Sequence, residues 1–332
     1  MEKQTTKREF LVEKDEAEMR LDRWFARRYP DVSHGSVEKS LRKGEIRIDG
    51  KRAKSNARLL AGQKIRVPPY FSDASLSEKI KVKRDRSREN RLKGLVLFQD
   101  EDVVALNKPA GLAVQGGTGL RENLDDDLMA FSLDGKTKPK LVHRLDRETS
   151  GVLLIARTDY AARKLTEAFR DRATKKIYWA LTLGVPLPDE GRIDGALYKS
   201  GETMLVAETQ DEIRENDAKS AATLYQVVDQ MKDRAAFVAL WPLTGRTHQI
   251  RVHLQHIGTP ILGDRLYGGT ESTDLPLGEL GKGLHLHARR LVIPHPRRGK
   301  IDVTAPLGEA MKKSWKWFGF EEKAKIDFDG DF

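Results

Sequence analysis

A chain of 332 residues with no cysteine, 60 Lys and Arg against 50 Asp and Glu, and a formal net charge of +10 cannot be a disulfide-stapled secreted scaffold and is not an acidic solvating protein. With 39% hydrophobic and 33% charged residues it can pack a core under a solvated surface, which excludes collagen, coiled coil and wholesale disorder and leaves room for about two domains at roughly 150 residues each. No apolar run approaches the roughly 18 to 20 residues that span a bilayer, and Met1 to Phe10 is polar without an apolar signal core, so we expect a cytoplasmic protein that is neither exported nor membrane-bound.

The first predicted elements carry most of the charge. Residues Glu18 to Pro68 hold 14 Lys and Arg against 6 Asp and Glu, so this stretch supplies +8 of the +10. Such a density attracts a polyanion and makes binding salt-dependent, although a basic solvated surface is the plainer alternative on charge alone. Leu21, Trp24 and Phe25 recur at helical spacing, with Arg20, Arg23, Arg27 and Arg28 on the outer side and Pro30 as the stop. Ser33 is a predicted N-cap for a second helix, Ser36 to Lys43, which carries Lys39, Arg42 and Lys43 and ends at Gly44. Ile46 and Ile48 alternate with Arg47 into an Asp49-Gly50 turn, and Ile65 and Val67 form a later strand. This order of helix, helix and hairpin resembles the S4 RNA-binding domain, a small α/β module. The resemblance implies a domain over residues 18–69 in which Arg20, Arg23, Arg27, Lys39, Arg42 and Lys43 lie against RNA phosphates.

Residues 70–94 contain few large apolar side chains and many charges of both signs, which predicts a basic linker. From Leu95 the composition turns globular. "LVLFQD" and "VVALNKP" read as two strands joined at Glu101-Asp102, "GVLLIAR" as a buried central strand, and Asp159 to Arg170 as a helix. Further strands are predicted at Lys176 to Leu183, Ala221 to Val228, Ala235 to Leu243 and Leu284 to Pro294. Strands outnumber helices and no regular helical crossover joins them, so the expected class for residues 95–320 is α+β on a mixed or antiparallel sheet. "EAMKKSWKWFGF" predicts a packing helix, and residues 321–332 a frayed tail.

The chemistry concentrates in "LVHRLDRETSGVLLIA", Leu141 to Ala156. One carboxylate, Asp146, sits among His143, Arg144 and Arg147 just before the apolar strand. Neighbouring cations favour the ionised form, and an ionised, fixed Asp can act as nucleophile or base. Taken alone, the string reads first as a structural ion pair. Along Lys176 to Leu183 the residues Ile177, Trp179, Leu181 and Leu183 share one face, and Tyr178, Ala180 and Thr182 the other, where one aromatic beside small side chains leaves room for a base. A helix starting near Thr247 would bury Ile250, Leu254 and Ile257, with Arg251 beside them. His285 and His287, with His248 and His253, lack nearby carboxylates or Cys, so no metal is expected. "QGGTGL" lacks the context of a phosphate-binding loop, so no cofactor is expected. A glycosidase or nuclease reading finds no second carboxylate in a convincing position.

"HRLDRETSG" at 143–151 resembles the hallmark segment of the RluA family of pseudouridine synthases, and "LNKPAGLAVQGG" (106–117), "KIYWAL" (176–181) and "TGRTHQIRVHLQHIGTPILGDRLYG" (244–268) are similar to that family's other blocks. Gln115 departs from relatives that frequently carry His. The resemblance implies isomerisation of uridine in RNA, in which N1–C1′ breaks, the uracil rotates while held, and C5 is joined to C1′. It makes Asp146 the nucleophile and Tyr178 a stacking platform or general base. Arg251 becomes the partner that orients Asp146, with Arg246 a phosphate contact or alternative partner. Arg144 becomes the side chain that fills the place of the extruded base, a step that costs a few kcal/mol of unstacking. His143 would brace the loop, and Leu154 and Ile250 would be apolar pocket walls. The implied partner is structured RNA, 23S ribosomal RNA or a large-subunit assembly intermediate. A transfer-RNA or dual-specificity enzyme, or a non-catalytic assembly factor, are the alternatives.

Overall fold

In the structure, a computed structural model, residues 8–29, 32, 34–71, 86–116, 123–171, 173–268, 275–276, 278–324, 326 and 328 are described. The chain divides into two compact units, residues 1–84 and, in the main, residues 85–332. No helix among the described residues is long and apolar enough to cross a membrane.

The first unit comprises β1 (Arg8–Leu11), α1 (Leu21–Arg28), α2 (His34–Lys43), β2 (Arg47–Ile48), β3 (Lys51–Arg52) and β4 (Lys64–Val67). Its antiparallel sheet has the order β1-β4-β2-β3. The apolar stripe of α1, Leu21, Trp24 and Phe25, packs with Val37 and Leu41 of α2 and Ile46, Ile65 and Val67, which is why the short basic helices form at all. The same packing leaves Arg20, Arg23, Arg27, Lys39, Arg42 and Lys43 on the outer side. Asp49 and Gly50 both take positive φ, as a tight hairpin turn requires. Helix α2 begins at His34, two residues earlier than expected; Pro30 and Ser33 lie outside the described residues.

The second unit opens with α3 (Arg86–Lys93), which corrects the linker assigned to 70–94 at both ends. Leu92 of α3 is buried against Val104, Leu106 and Leu128, and Phe71 is buried in the core of the first unit. Two apolar anchors were enough to fold segments that read as solvated. The strands are β5 (Val96–Gln99), β6 (Val103–Lys108), β7 (Lys140–Leu141), β8 (Ser150–Ala156), β9 (Lys175–Leu183), β10 (Glu190–Ser200), β11 (Thr203–Ala207), β12 (Lys219–Met231), β13 (Ala235–Pro242), β14 (Leu286–Pro294) and β15 (Lys300–Thr304). The helices after α3 are α4 (Leu124–Asp127), α5 (Asp159–Arg170), α6 (Gln210–Glu215), α7 (Gln249–His256) and α8 (Glu309–Phe318).

The described strands make one eleven-stranded sheet, ordered β11-β10-β12-β13-β9-β14-β8-β6-β5, with β15 on β14 and β7 on β8. It is mixed, since β14 and β8 run parallel at His287↔Ser150 while the other pairs are antiparallel. The unit is therefore α+β. One face buries Ile177, Trp179, Leu181 and Phe237 under Met311 and Trp315 of α8; the other carries Ala180, Val238 and Leu240 under Ile250 and Leu254 of α7. Phe320 and Phe328 join the α8 side with Ala324 and Ile326, and Arg289 Nη2 donates to the Glu322 carbonyl at 2.8 Å, so these described residues are tied to the core rather than frayed.

The junction of β8 and β14 requires glycine. Gly151 has φ +110°, and a Cβ there would lie 2.2 Å from the Ala288 carbonyl oxygen. The absence of a side chain lets β14 close against the strand that immediately follows the Asp146 loop.

Candidate active site

The Asp146 loop connects β7 to β8 and is pinned from below. Lys108, at the end of β6, is 1% exposed and donates from Nζ to the carbonyls of Pro109, Leu112 and Arg147 at 2.9–3.0 Å. Burial pushes its pKa down to about 8, against the opposing charges of Glu148 and Asp146. Gly111 and Arg147 exchange backbone and side-chain hydrogen bonds across the same junction, Gly111 N to Arg147 O at 2.9 Å and Arg147 Nε to Gly111 O at 3.1 Å. His143 braces the other flank: its Nε2 accepts the Leu154 N–H at 2.7 Å, and its ring lies 4.5 Å from that of Phe169.

Held in this way, the Asp146 carboxylate faces a cleft of about 730 Å³ whose walls include Arg144, Tyr178, Arg246, His248, Ile250 and Arg251. Arg251 Nη1 is 4.0 Å and His248 Nε2 3.9 Å from Asp146 Oδ2. The main partner of Arg251 is Asp264, which it grips through Nε and Nη2 at 2.7 Å each. Asp264 is buried and also accepts the backbone N–H groups of Leu266 and Tyr267. The expected Arg251–Asp146 ion pair is present at 4.0 Å, but it is the secondary contact: the guanidinium spends its planar fork on Asp264 and offers the remaining nitrogen to Asp146. Burial lowers the Arg251 pKa, but the Asp264 bond and the charges of Asp264 and Asp146 outweigh it, and the net shift is upward.

Asp264 is also the second carboxylate that the sequence did not reveal, and both its oxygens are already committed. Its neighbour Gly263 (φ +78°) would bring a Cβ to 2.0 Å from the Gly283 carbonyl oxygen, so the turn that delivers Asp264 depends on glycine. Tyr267 completes the group. Its oxygen accepts the Met204 N–H at 2.9 Å and its hydroxyl faces His248 Nδ1 at 2.9 Å. A hydroxyl donating to Nδ1 leaves the imidazole proton on Nε2, the nitrogen turned toward Asp146. His248 takes φ +54°, a left-handed conformation uncommon for a non-glycine residue, which starts α7 at Gln249 rather than Thr247 and turns the imidazole into the cleft. Burial lowers its pKa more than the charge of Asp146 raises it.

The Tyr178 ring is half-buried on the cleft side of β9, and burial, then the charge of Asp146, push its phenol above the usual range. Arg144 is exposed at the rim and pairs with no carboxylate among the described residues. Arg246 is exposed on the cleft wall and donates from Nε to the Ser220 carbonyl at 3.1 Å. Ile250 lies on the cleft wall. Leu154 does not: it is fully buried with Ala161 and Leu165 of α5, on the opposite side of β8. Lys108, His248, Asp264 and Tyr267 were not singled out for the site from sequence.

Three further histidines have separate partners. His285 contacts Ser314 Oγ, His287 contacts Ser150 Oγ and His253 contacts Thr223 Oγ1. Burial pushes His143 down to about 3 and His253 and His287 down to about 4, and lowers His285 as well. Each folded value lies below an unfolded value near 6.5, so the unfolded chain binds more protons in between. Their stabilisation is full above about pH 6.5 and is lost as pH falls through the folded values, at up to about 1.4 kcal/mol per pH unit for each group. Urea unfolding at pH 7 and pH 5 should therefore give a clearly lower midpoint at pH 5, and His287→Gln should flatten the difference; superimposable curves would contradict this.

An α+β body with a carboxylate facing an arginine-lined cleft agrees with what the comparisons with known proteins show. The family model for RNA pseudouridylate synthase matches residues 102–256, and the chain belongs to that family. It is 36% identical over 310 residues to the ribosomal large subunit pseudouridine synthase C of Escherichia coli K12, covering 90% of this chain and 92% of that protein. Its identity to the protein of the same name from Rickettsia bellii is 33% over 294 residues, covering 87% and 94%. Among solved structures, human RNA pseudouridylate synthase domain containing 4 is similar at a TM-score of 0.60 and 31% identity, over 71% of this chain and 97% of that one.

Proposed function

We propose that the protein isomerises uridines to pseudouridine in 23S ribosomal RNA, with Asp146 as the nucleophile. The observation that carries this reading is the Asp146 carboxylate itself, held on a loop pinned by Lys108, flanked at 3.9–4.0 Å by His248 and Arg251, and accepting no direct hydrogen bond among the described residues. The reaction breaks N1–C1′, forms C5–C1′, releases the C5 hydrogen as a proton and takes one up at N1, so atoms balance and it needs no oxidant. Tyr178 stacks under the uracil; its raised pKa keeps the phenol protonated and able to donate a hydrogen bond. Arg144, exposed beside the nucleophile, takes the vacated place in the RNA stack with its planar guanidinium. Arg246, also exposed on the wall, is a phosphate contact. The substrate follows from the names of the curated relatives, and it calls for a cytoplasmic enzyme whose partner is the RNA, free or in an assembly intermediate. Incubation with 23S and transfer-RNA transcripts followed by pseudouridine mapping tests the reading. Product in 23S RNA is expected; product in transfer RNA alone would reassign the substrate, and free uracil would replace the isomerase by a glycosidase.

The first unit supports an S4-like targeting role through the basic stripes Arg20, Arg23 and Arg27 on α1 and its entry and Lys39, Arg42 and Lys43 on α2. Deleting residues 1–71 is expected to weaken binding to 23S RNA and to shrink the slope of log affinity against log salt by several units, at about 0.9 for each duplex phosphate no longer neutralised. The rate on a short RNA at saturation stays within a few-fold. A parallel collapse of both would remove the modular role.

A further inference from the structure

Beyond Tyr178 the cleft continues along the same face of β9 to Lys176, into an arm that the chemistry at Asp146 does not require. Lys176 and Tyr178 stand at i and i+2, so their side chains share a face about 7 Å apart along the strand. Phe169 of α5 lines the cleft on this side, its ring 4.5 Å from that of His143. Gly245 lies opposite, the position of its missing Cβ being 4.0 Å from the Lys176 ammonium.

Lys176 is largely withdrawn from water, and burial lowers its pKa. Among the described residues no carboxylate pairs with it and no carbonyl accepts from it, in contrast to Lys108, whose ammonium is satisfied by three carbonyls. Its neighbour His143 offers no compensation, being held neutral by burial and by the charge of Lys176 itself. Two further cations line the cleft, Arg170, which is paired with Asp171 at 3.1 Å, and Arg246. A partly desolvated ammonium without a partner carries a cost, and the deficit is removed when an anion arrives. A cleft of about 730 Å³ also exceeds what one extruded base fills, being in the range that accepts ligands of several hundred Å³.

We propose that Lys176 is the floor of a phosphodiester subsite that holds the backbone phosphate of the nucleotide flanking the extruded uridine, beside Phe169. The inference rests on the RNA-modifying reading above and adds a residue that binds backbone rather than base. Its position one short step from Tyr178 fixes where the flanking phosphate enters relative to the uracil.

The test is a binding cycle with the full chain and a set of seven-residue oligouridylates, each carrying one neutral methylphosphonate at a different linkage, read by fluorescence anisotropy. Lys176→Gln is expected to lower affinity for the unmodified oligomer about tenfold, the scale of one charge-assisted bond, and to reduce the salt slope by about 0.7. One methylphosphonate position should weaken the wild type to a similar degree and have no further effect on Lys176→Gln, while Lys176→Arg restores most of the affinity. Unchanged affinity in Lys176→Gln would overturn the subsite, and so would methylphosphonate effects that are the same in wild type and variant at every position. Lys176→Met, which keeps the stem but not the charge, serves as the second variant should the glutamine disturb folding. Binding needs no turnover, so failure of the same preparation to form pseudouridine in 23S RNA would count against the enzymatic reading and leave the subsite result intact.

Discussion

Asp146→Asn is expected to abolish pseudouridine formation, by at least about 10⁴-fold in single turnover, with RNA binding retained. The amide keeps the size of the carboxylate but neither its charge nor its nucleophilic electron pair. The loop does not depend on that charge for its shape: Lys108 grips backbone carbonyls, and His143 takes the Leu154 N–H. Arg251 remains seated on Asp264 through two bonds. Stability should therefore change by less than about 1 kcal/mol. The affinity for RNA should be equal or slightly higher, because the substitution removes an anion from a cleft that receives phosphates. Asp146→Glu supplies the complementary case, since one added methylene moves the charge by roughly 1 Å and a displacement of that size costs about 10² in rate. Retained turnover in Asp146→Asn would remove the nucleophile from the proposal. Binding that falls in proportion to activity would make Asp146 an RNA contact instead.

What the sequence made legible, and what it did not, follows from how each residue's role is encoded. The two faces of β9 could be separated because Ile177, Trp179 and Leu181 alternate with a different set, and they do enter different layers. Parity could not place Leu154, because β8 is buried on both sides and "GVLLIA" is apolar at every position, so nothing in it distinguishes the cleft side from the α5 side. Strands β10 and β11 went unread for the opposite reason. Their burial is broken by exposed and polar positions, and what fixes them is pairing with β12 and with each other. Lys108 looked like any surface lysine, since the three carbonyls that satisfy it come from residues 109, 112 and 147. His248 required knowledge of a left-handed backbone that shifts the start of α7. The unit's α+β class, by contrast, needed only the count and spacing of strands. Membership of the synthase family needed only short blocks, because those blocks are where the chemistry is concentrated.

The largest effect on stability is expected at the Arg251–Asp264 pair, which carries the site from within the fold. Both side chains are buried, and each of the two hydrogen bonds between them is 2.7 Å. Removing one partner of such a pair leaves the other charge uncompensated, at a cost of about 3–5 kcal/mol, whereas removing both can be close to neutral. Arg251→Met should accordingly destabilise the second unit by that amount in urea unfolding, as should Asp264→Leu. The double variant should recover at least about 2 kcal/mol relative to the sum of the singles. Activity should not recover with it, because the guanidinium nitrogen 4.0 Å from Asp146 is then gone and the imidazole of His248 is the remaining nearby donor. Arg251→Lys separates the two roles further. A single ammonium keeps one charge-assisted bond to Asp264 but cannot also reach Asp146, so most of the stability is kept while the rate falls by about 10²-fold. Stability and rate falling together across all four variants would mean that the pair is only a structural clamp. The expected divergence, a double variant that folds but does not turn over, would identify Arg251 as the link between the buried network and the nucleophile.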